Sequence, residues 1–180
     1  ISKKLVTEKD IEKLHIVIKD QAKYLYDNYV DKYDLSNWGV LITTGILCFD
    51  AVNPHIINSQ LVKWALDKLK VELELQVDDD GIHWEQSPLY FIEVFRSSLC
   101  VYAAYKNSQL SIPSVIEMKL NLMLSALNYL VKPNGYIVQQ GDTDSIRVND
   151  LMASANLILK SELSDEQYDL VPIEFYSFNN

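Results

Sequence analysis

Two short stretches gather amides, aromatics and acids: Ser36-Asn37-Trp38, and Asp80-Gly-Ile-His-Trp-Glu-Gln-Ser-Pro-Leu-Tyr90. Within them Asn37, Trp38, His83, Trp84, Glu85, Gln86 and Tyr90 carry usable chemistry, and Asp142 and Asp144 form a third, acidic stretch. Aromatic faces beside amides and carboxylates suit sugar rings, the faces stacking on C–H surfaces while the polar groups bond hydroxyls. Other chemistries lack their residues. His15, His55 and His83 are far apart, with no HxH, HExxH or cysteine cluster, so no metal and no cofactor is expected. Five glycines form no phosphate-binding loop, and no serine sits in a nucleophile elbow.

The elements that hold these residues are helices. Ser87 is placed to be an N-cap, and Pro88 sits at the first helical position, where its missing N–H costs nothing. Tyr90 then falls in the first turn of a helix over about 88–106, anchored by Ile92, Val94, Phe95 and Leu99. Asn37 and Trp38 precede a nearly all-apolar helix from Val40 to about Val52, stopped by Asn53-Pro54. A helix apolar on all sides belongs inside. For Asn37 an N-cap, for Trp38 core packing, and for Tyr90 a half-buried packing role are the structural alternatives.

Around these two lie amphipathic segments. A capping-box-like Thr7-Glu-Lys-Asp10 opens a helix over about 8–33, with Ile11, Leu14, Ile18, Ala22, Leu25 and Tyr29 on one stripe and His15 at its boundary. A helix from Asn58 or Ser59 to about Gln76 sets Leu61, Ala65, Leu66, Leu69 and Leu73 against an outward face of lysines and glutamates. Another at about 113–131 exposes one polar stripe, Tyr136-Ile-Val138 suits a very short strand, and a last helix covers about 149–160. A helical turn is expected from Ser164 and irregular chain from Val171-Pro172. Alternating amphipathic and all-apolar helices give an inner and an outer layer.

The 180 residues, 48% hydrophobic, are expected to make one domain, 1–180. No transmembrane run and no secretory signal is evident, and the start at Ile1 marks a processed chain or an excised piece, leaving the compartment open. A net charge of −9, with only Arg96 and Arg147 as arginines, disfavours nucleic acid and acidic membranes as partners. Cys48 and Cys100, on apolar helical stretches without CxxC spacing, are expected as two buried thiols.

The motif from Asp80 to Tyr90, preceded by Ser36-Asn37-Trp38 and followed by Gly141-Asp-Thr-Asp144, resembles the N-terminal helical domain of the heparinase II/III family of polysaccharide lyases, over roughly residues 35–155. The resemblance implies an all-α fold, an incomplete α/α toroid, and in the parent protein a C-terminal β-sandwich domain that this chain lacks. It implies β-elimination on a uronic-acid-containing polysaccharide resembling heparin or heparan sulfate. In that family a catalytic asparagine precedes a catalytic tyrosine by a little over fifty residues, and Asn37 and Tyr90 lie 53 apart. The implied roles are substrate-carboxylate neutralisation for Asn37 and proton transfer to the leaving oxygen for Tyr90. Trp38, His83, Trp84, Glu85 and Gln86 would contact the acidic polysaccharide. Phe91 stands where many relatives have histidine, and the family's further catalytic histidine comes from beyond this chain. The alternatives are a sugar-binding module without catalysis, a lyase for alginate or another polyuronate, and a helical interaction scaffold. Few arginines point towards a sparsely sulfated polymer.

Overall fold

Apolar coverage decides which helices lie inside. The computed structural model describes residues 7–160, and the expected turn from Ser164 and the chain from Val171 lie outside them. Among the described residues there are six helices: α1 (Glu8–Asp27), α2 (Asn37–Val52), α3 (Ser59–Gln76), α4 (Pro88–Asn107), α5 (Ser114–Leu130) and α6 (Asn149–Lys160), with a short 3-10 turn at Asp31–Leu35. The chain is all-α. No strand forms among the described residues, and Tyr136 and Ile137 make only isolated bridges, to Arg147 and Val131. No helix there is long and apolar enough to cross a membrane.

Helix α2 packs most extensively on α4 and α3, and α5 closes the core from α3 and α4 towards α6. Val40, Leu47, Leu69, Leu73, Phe91, Phe95, Leu120 and Leu127 are fully or almost fully buried at their junction. Both ends of the α2–α4 pair are tied: the Asn37 amide near the start of α2 bonds Glu93, and Ser108 just past α4 donates to the carbonyl of Ala51 at 2.9 Å. The two helices therefore run parallel, with their starts at the same end.

Three expectations need correction. The first helix stops at Asp27 rather than 33, because Asn28 turns its side chain back onto the Tyr24 carbonyl, after which the chain drops into the 3-10 turn. Its apolar stripe is mostly not in the core: Ala22 is buried, whereas Ile11 and Leu14 are 44% and 55% exposed. The polar face of α3 is not wholly outward, since Glu72 and Gln76 are fully buried beneath the 3-10 turn. The Tyr29 hydroxyl lies 2.7 Å from both Asp34 Oδ1 and Glu72 Oε1, Thr43 donates to Glu72 Oε2 at 2.7 Å, and Lys68 pairs with Asp34 at 2.8 Å. Burial pushes the Glu72 carboxyl up to about 7. Gly39 permits this close approach, because a Cβ there would meet the Tyr33 carbonyl at 2.2 Å and Glu72 Oε1 at 2.7 Å. Cys48 and Cys100 are free thiols, as expected, but half-buried rather than buried, and desolvation pushes Cys48 up to about 12.

Candidate functional site

Asn37 is the first residue of α2 rather than its cap. Ser36 takes that position, its hydroxyl accepting from the Trp38 N–H at 3.3 Å, which frees the Asn37 side chain for other work. That side chain is almost fully buried, and its Nδ2 donates to Glu93 Oε2 at 2.8 Å. Its backbone N–H donates to Glu85 Oε1 at 3.2 Å. A carboxylate at a helix start is favoured by the free N–H groups there.

The segment before Asn37 is braced from below. Gln76 Nε2 donates to the carbonyls of Asp34 and Ser36 at 2.9 and 3.0 Å, and its Oε1 faces His83 Nε2 at 2.9 Å. Since Gln76 spends its donors on the carbonyls, the proton of that last bond belongs to His83 Nε2. His83 is fully buried, its Nδ1 has no partner among the described residues, and burial lowers its pKa to about 4, so the ring stays neutral. His83 thus faces the interior. The expected contact with a sugar is not what this position offers, and a neutral ring supplies no cation to Tyr90.

The segment 77–87 is a tight excursion held on both sides. The Trp84 N–H donates to the Gln76 carbonyl at 2.9 Å, and buried Lys119 of α5 donates to the Val77 carbonyl at 2.6 Å. Gly81, at φ +85°, lets the turn lie against the backbone of Leu122, where a Cβ would come within 2.2 Å of the carbonyl oxygen. Trp84 and Trp38 emerge 44% and 63% exposed, Glu85 is half-buried, and Gln86 is exposed with φ +54°.

Ser87 holds the N-cap position of α4, but its hydroxyl does not cap the helix; it donates to the Asp142 carbonyl at 2.9 Å. The cap comes from Thr143, whose hydroxyl accepts from the Leu89 N–H at 3.3 Å. The loop at Gly141–Ser145 is thereby fastened over the start of α4, and Asp142 accepts from the Tyr90 hydroxyl at 2.5 Å. That bond, then desolvation and the charges of Asp142, Glu85 and Glu93, hold the phenol above its ordinary pKa. Glu85 and Glu93 thus accept from Asn37, and their charges also help to raise the Tyr90 pKa. The two sequence stretches meet at one end of the α2–α4 pair, where Glu85 accepts from the Asn37 N–H.

A family model described as the heparinase II/III N-terminus matches residues 1–168. The chain belongs to the heparinase II/III family. Comparison with curated proteins and with solved structures gave no match. Membership relates the chain to glycosaminoglycan lyases and to acidic polysaccharide as the kind of molecule they act on. Among the described residues no cluster of three or more histidines, cysteines and acids is arranged to hold a metal ion. Two residues of the site escaped sequence reasoning, Glu93 and Gln76. Glu93 was signalled only by lying three residues after Tyr90, on the same helical face. Gln76 had no signal beyond the polar side of α3, whereas Asp142 stood among the candidate acids from the start.

Proposed function

We propose that this chain carries part of the cleft of a polysaccharide lyase that breaks a uronic-acid-containing glycosaminoglycan by β-elimination. The observation that supports the reading is the bonding of Asn37 to Glu85 and to Glu93, the latter one turn beyond Tyr90 on α4, at the shared start of two parallel buried helices. In the reaction a base takes the C5 proton of the uronate, the C4–O bond breaks, a C4–C5 double bond forms, and the leaving oxygen receives a proton. Asn37 donates a side-chain N–H to the substrate carboxylate, whose charge grows as C5 loses its proton; donors of this kind lower the barrier by about 3 kcal/mol in comparable oxyanion sites.

Tyr90 gives its proton to the leaving oxygen. Three surrounding carboxylates favour the neutral phenol, which suits an acid and opposes a phenolate base. The base is then supplied from elsewhere, as the family pattern of a further histidine implies. Trp38 and Trp84 are exposed enough to stack on sugar rings beside the reacting residue, with Gln86 and the free edge of Glu85 bonding hydroxyls. Acids in the cleft and a net charge of −9 favour a sparsely sulfated polymer.

In the parent protein, Tyr90→Phe removes the proton and keeps the ring. The expected outcome is binding of uronate oligosaccharide by calorimetry with no rise in the ultraviolet absorbance of unsaturated uronate. Full turnover in this variant sinks the assignment. The exposed tryptophans also fit a sugar-binding module without catalysis, and binding by the unaltered parent without any unsaturated product selects that second reading.

A further inference from the structure

An asparagine side chain can face a ligand in two ways that differ little in shape and are opposite in chemistry. With Nδ2 forward it donates to a carboxylate, and with Oδ1 forward it repels one. Nothing in the helix start itself chooses between them. The Ser36 hydroxyl is 3.4 Å from Asn37 Oδ1, too long to hold the group. The contact that distinguishes the two ends is Glu93, which reaches across from α4 to Asn37 Nδ2 at 2.8 Å. An ionised carboxylate has only acceptors, so it pairs with the NH2 end and meets the flipped amide as an oxygen facing an oxygen.

We infer that Glu93 is a positioning residue which locks the Asn37 carboxamide with its nitrogen in place, one N–H held by Glu93 and the other left for a substrate carboxylate. This rests on the lyase reading for its catalytic consequence, though not for the lock itself. The charge of Glu93 also polarises the amide, strengthening the remaining N–H as a donor. Because Glu93 lies one turn beyond Tyr90 on α4, the same helix that presents the phenol sets the amide of α2. The start of α4 and the start of α2 are therefore adjusted together. Glu93 itself need not touch the sugar.

The test is Glu93→Gln, which keeps size and shape and can offer N–H to either end of the Asn37 amide. In the parent protein, on uronate oligosaccharide, kcat is expected to fall about fivefold or more, the difference between a charge-assisted and a neutral hydrogen bond. KM should stay within about twofold, because the donor matters most when charge develops on the substrate carboxylate. In an Asn37→Ala background the same substitution should change kcat no further. Unchanged kcat in Glu93→Gln, or an equal loss in both backgrounds, overturns the lock.

A second measurement does not depend on turnover. The side-chain NH2 of Asn37, followed by nitrogen-15 NMR in the 180-residue chain, should show one hydrogen shifted downfield and slow to exchange, and lose both marks in Glu93→Gln. Identical signals in the two proteins overturn the lock even where the parent shows no lyase activity. Loss of the marks in a parent that forms no unsaturated product supports the lock and removes only the lyase reading.

Discussion

The buried acid beneath the 3-10 turn makes a sharp claim about pH. Tyr29 has one phenolic proton and lies 2.7 Å from two carboxylates, Asp34 and Glu72. It can donate to only one. Lys68 bonds both oxygens of Asp34 at 2.8 Å, whereas Glu72 has no cation bonded to it among the described residues, so the proton for the second contact belongs on Glu72. This agrees with a Glu72 pKa pushed up to about 7 from an ordinary 4.5, chiefly by burial. A raised carboxyl pKa means that the folded state holds a proton the unfolded chain has lost. Its contribution to stability is complete below the unfolded value of 4.5 and disappears as pH rises through about 7. At about 1.4 kcal/mol per unit, the shift corresponds to about 3 kcal/mol.

Glu72→Gln removes the titration and keeps the volume. The surroundings can adapt, because Thr43 has the Gly39 and Val40 carbonyls within 3.2 Å and Tyr29 retains Asp34. Urea unfolding of the 180-residue chain and the variant, from pH 4 to pH 8, gives the difference profile directly. The wild type should lose about 3 kcal/mol relative to Glu72→Gln across that range. Parallel profiles would refute the shared-proton argument.

His83 should behave in the opposite sense: its pKa is lowered to about 4, so its contribution is present above the ordinary 6.5 and lost as pH falls through about 4. His83→Leu, compared with wild type by the same unfolding series, should abolish a loss of about 3 kcal/mol on the acid side, so that an unchanged acid limb contradicts the neutral buried ring. Gly39→Ala forces a Cβ to within 2.2 Å of the Tyr33 carbonyl, and a loss of about 1–3 kcal/mol in unfolding free energy, read from urea curves, is expected. Asp142→Asn removes the largest cause of the raised Tyr90 pKa, so the Tyr90 ring signal, followed by carbon-13 NMR, should titrate at lower pH than in wild type. No downward movement would show that the Asp142 bond does not govern the phenol.

The limits of α3 and α6 were legible because local signals mark them: Asn58 caps α3, its side chain accepting from the Gln60 N–H. The apolar runs of α2 and α4 likewise announced buried helices. Partners distant in sequence were not legible. Helical periodicity continues through Tyr29, but that side chain is drawn to Glu72 across the fold, and the helix ends before it. Ser87 has the right type and place for a cap, yet Thr143 performs that task from the far loop. Glu72 and Gln76 read as solvent-facing because periodicity identifies a polar side without saying what will lie over it. For the candidate site, the order and spacing of Asn37 and Tyr90 carried the family resemblance. The buried state of His83 and the bond from Glu93 exist only once α2, α3 and α4 are packed.

The parallel course of α2 and α4 has an electrostatic consequence. Each helix aligns its peptide dipoles, leaving roughly half a positive charge at its start. Two such ends lie side by side at Asn37 and Tyr90, in a chain whose overall charge is −9 and whose carboxylates Glu85, Glu93 and Asp142 bond those two residues. Attraction for an anionic sugar is thus built from backbone amides, short in range and fixed in direction. A polyanion feels repulsion on approach and attraction only on arrival. On the proposed lyase reading, such a helix start favours a carboxylate delivered to one spot over charge spread along a chain.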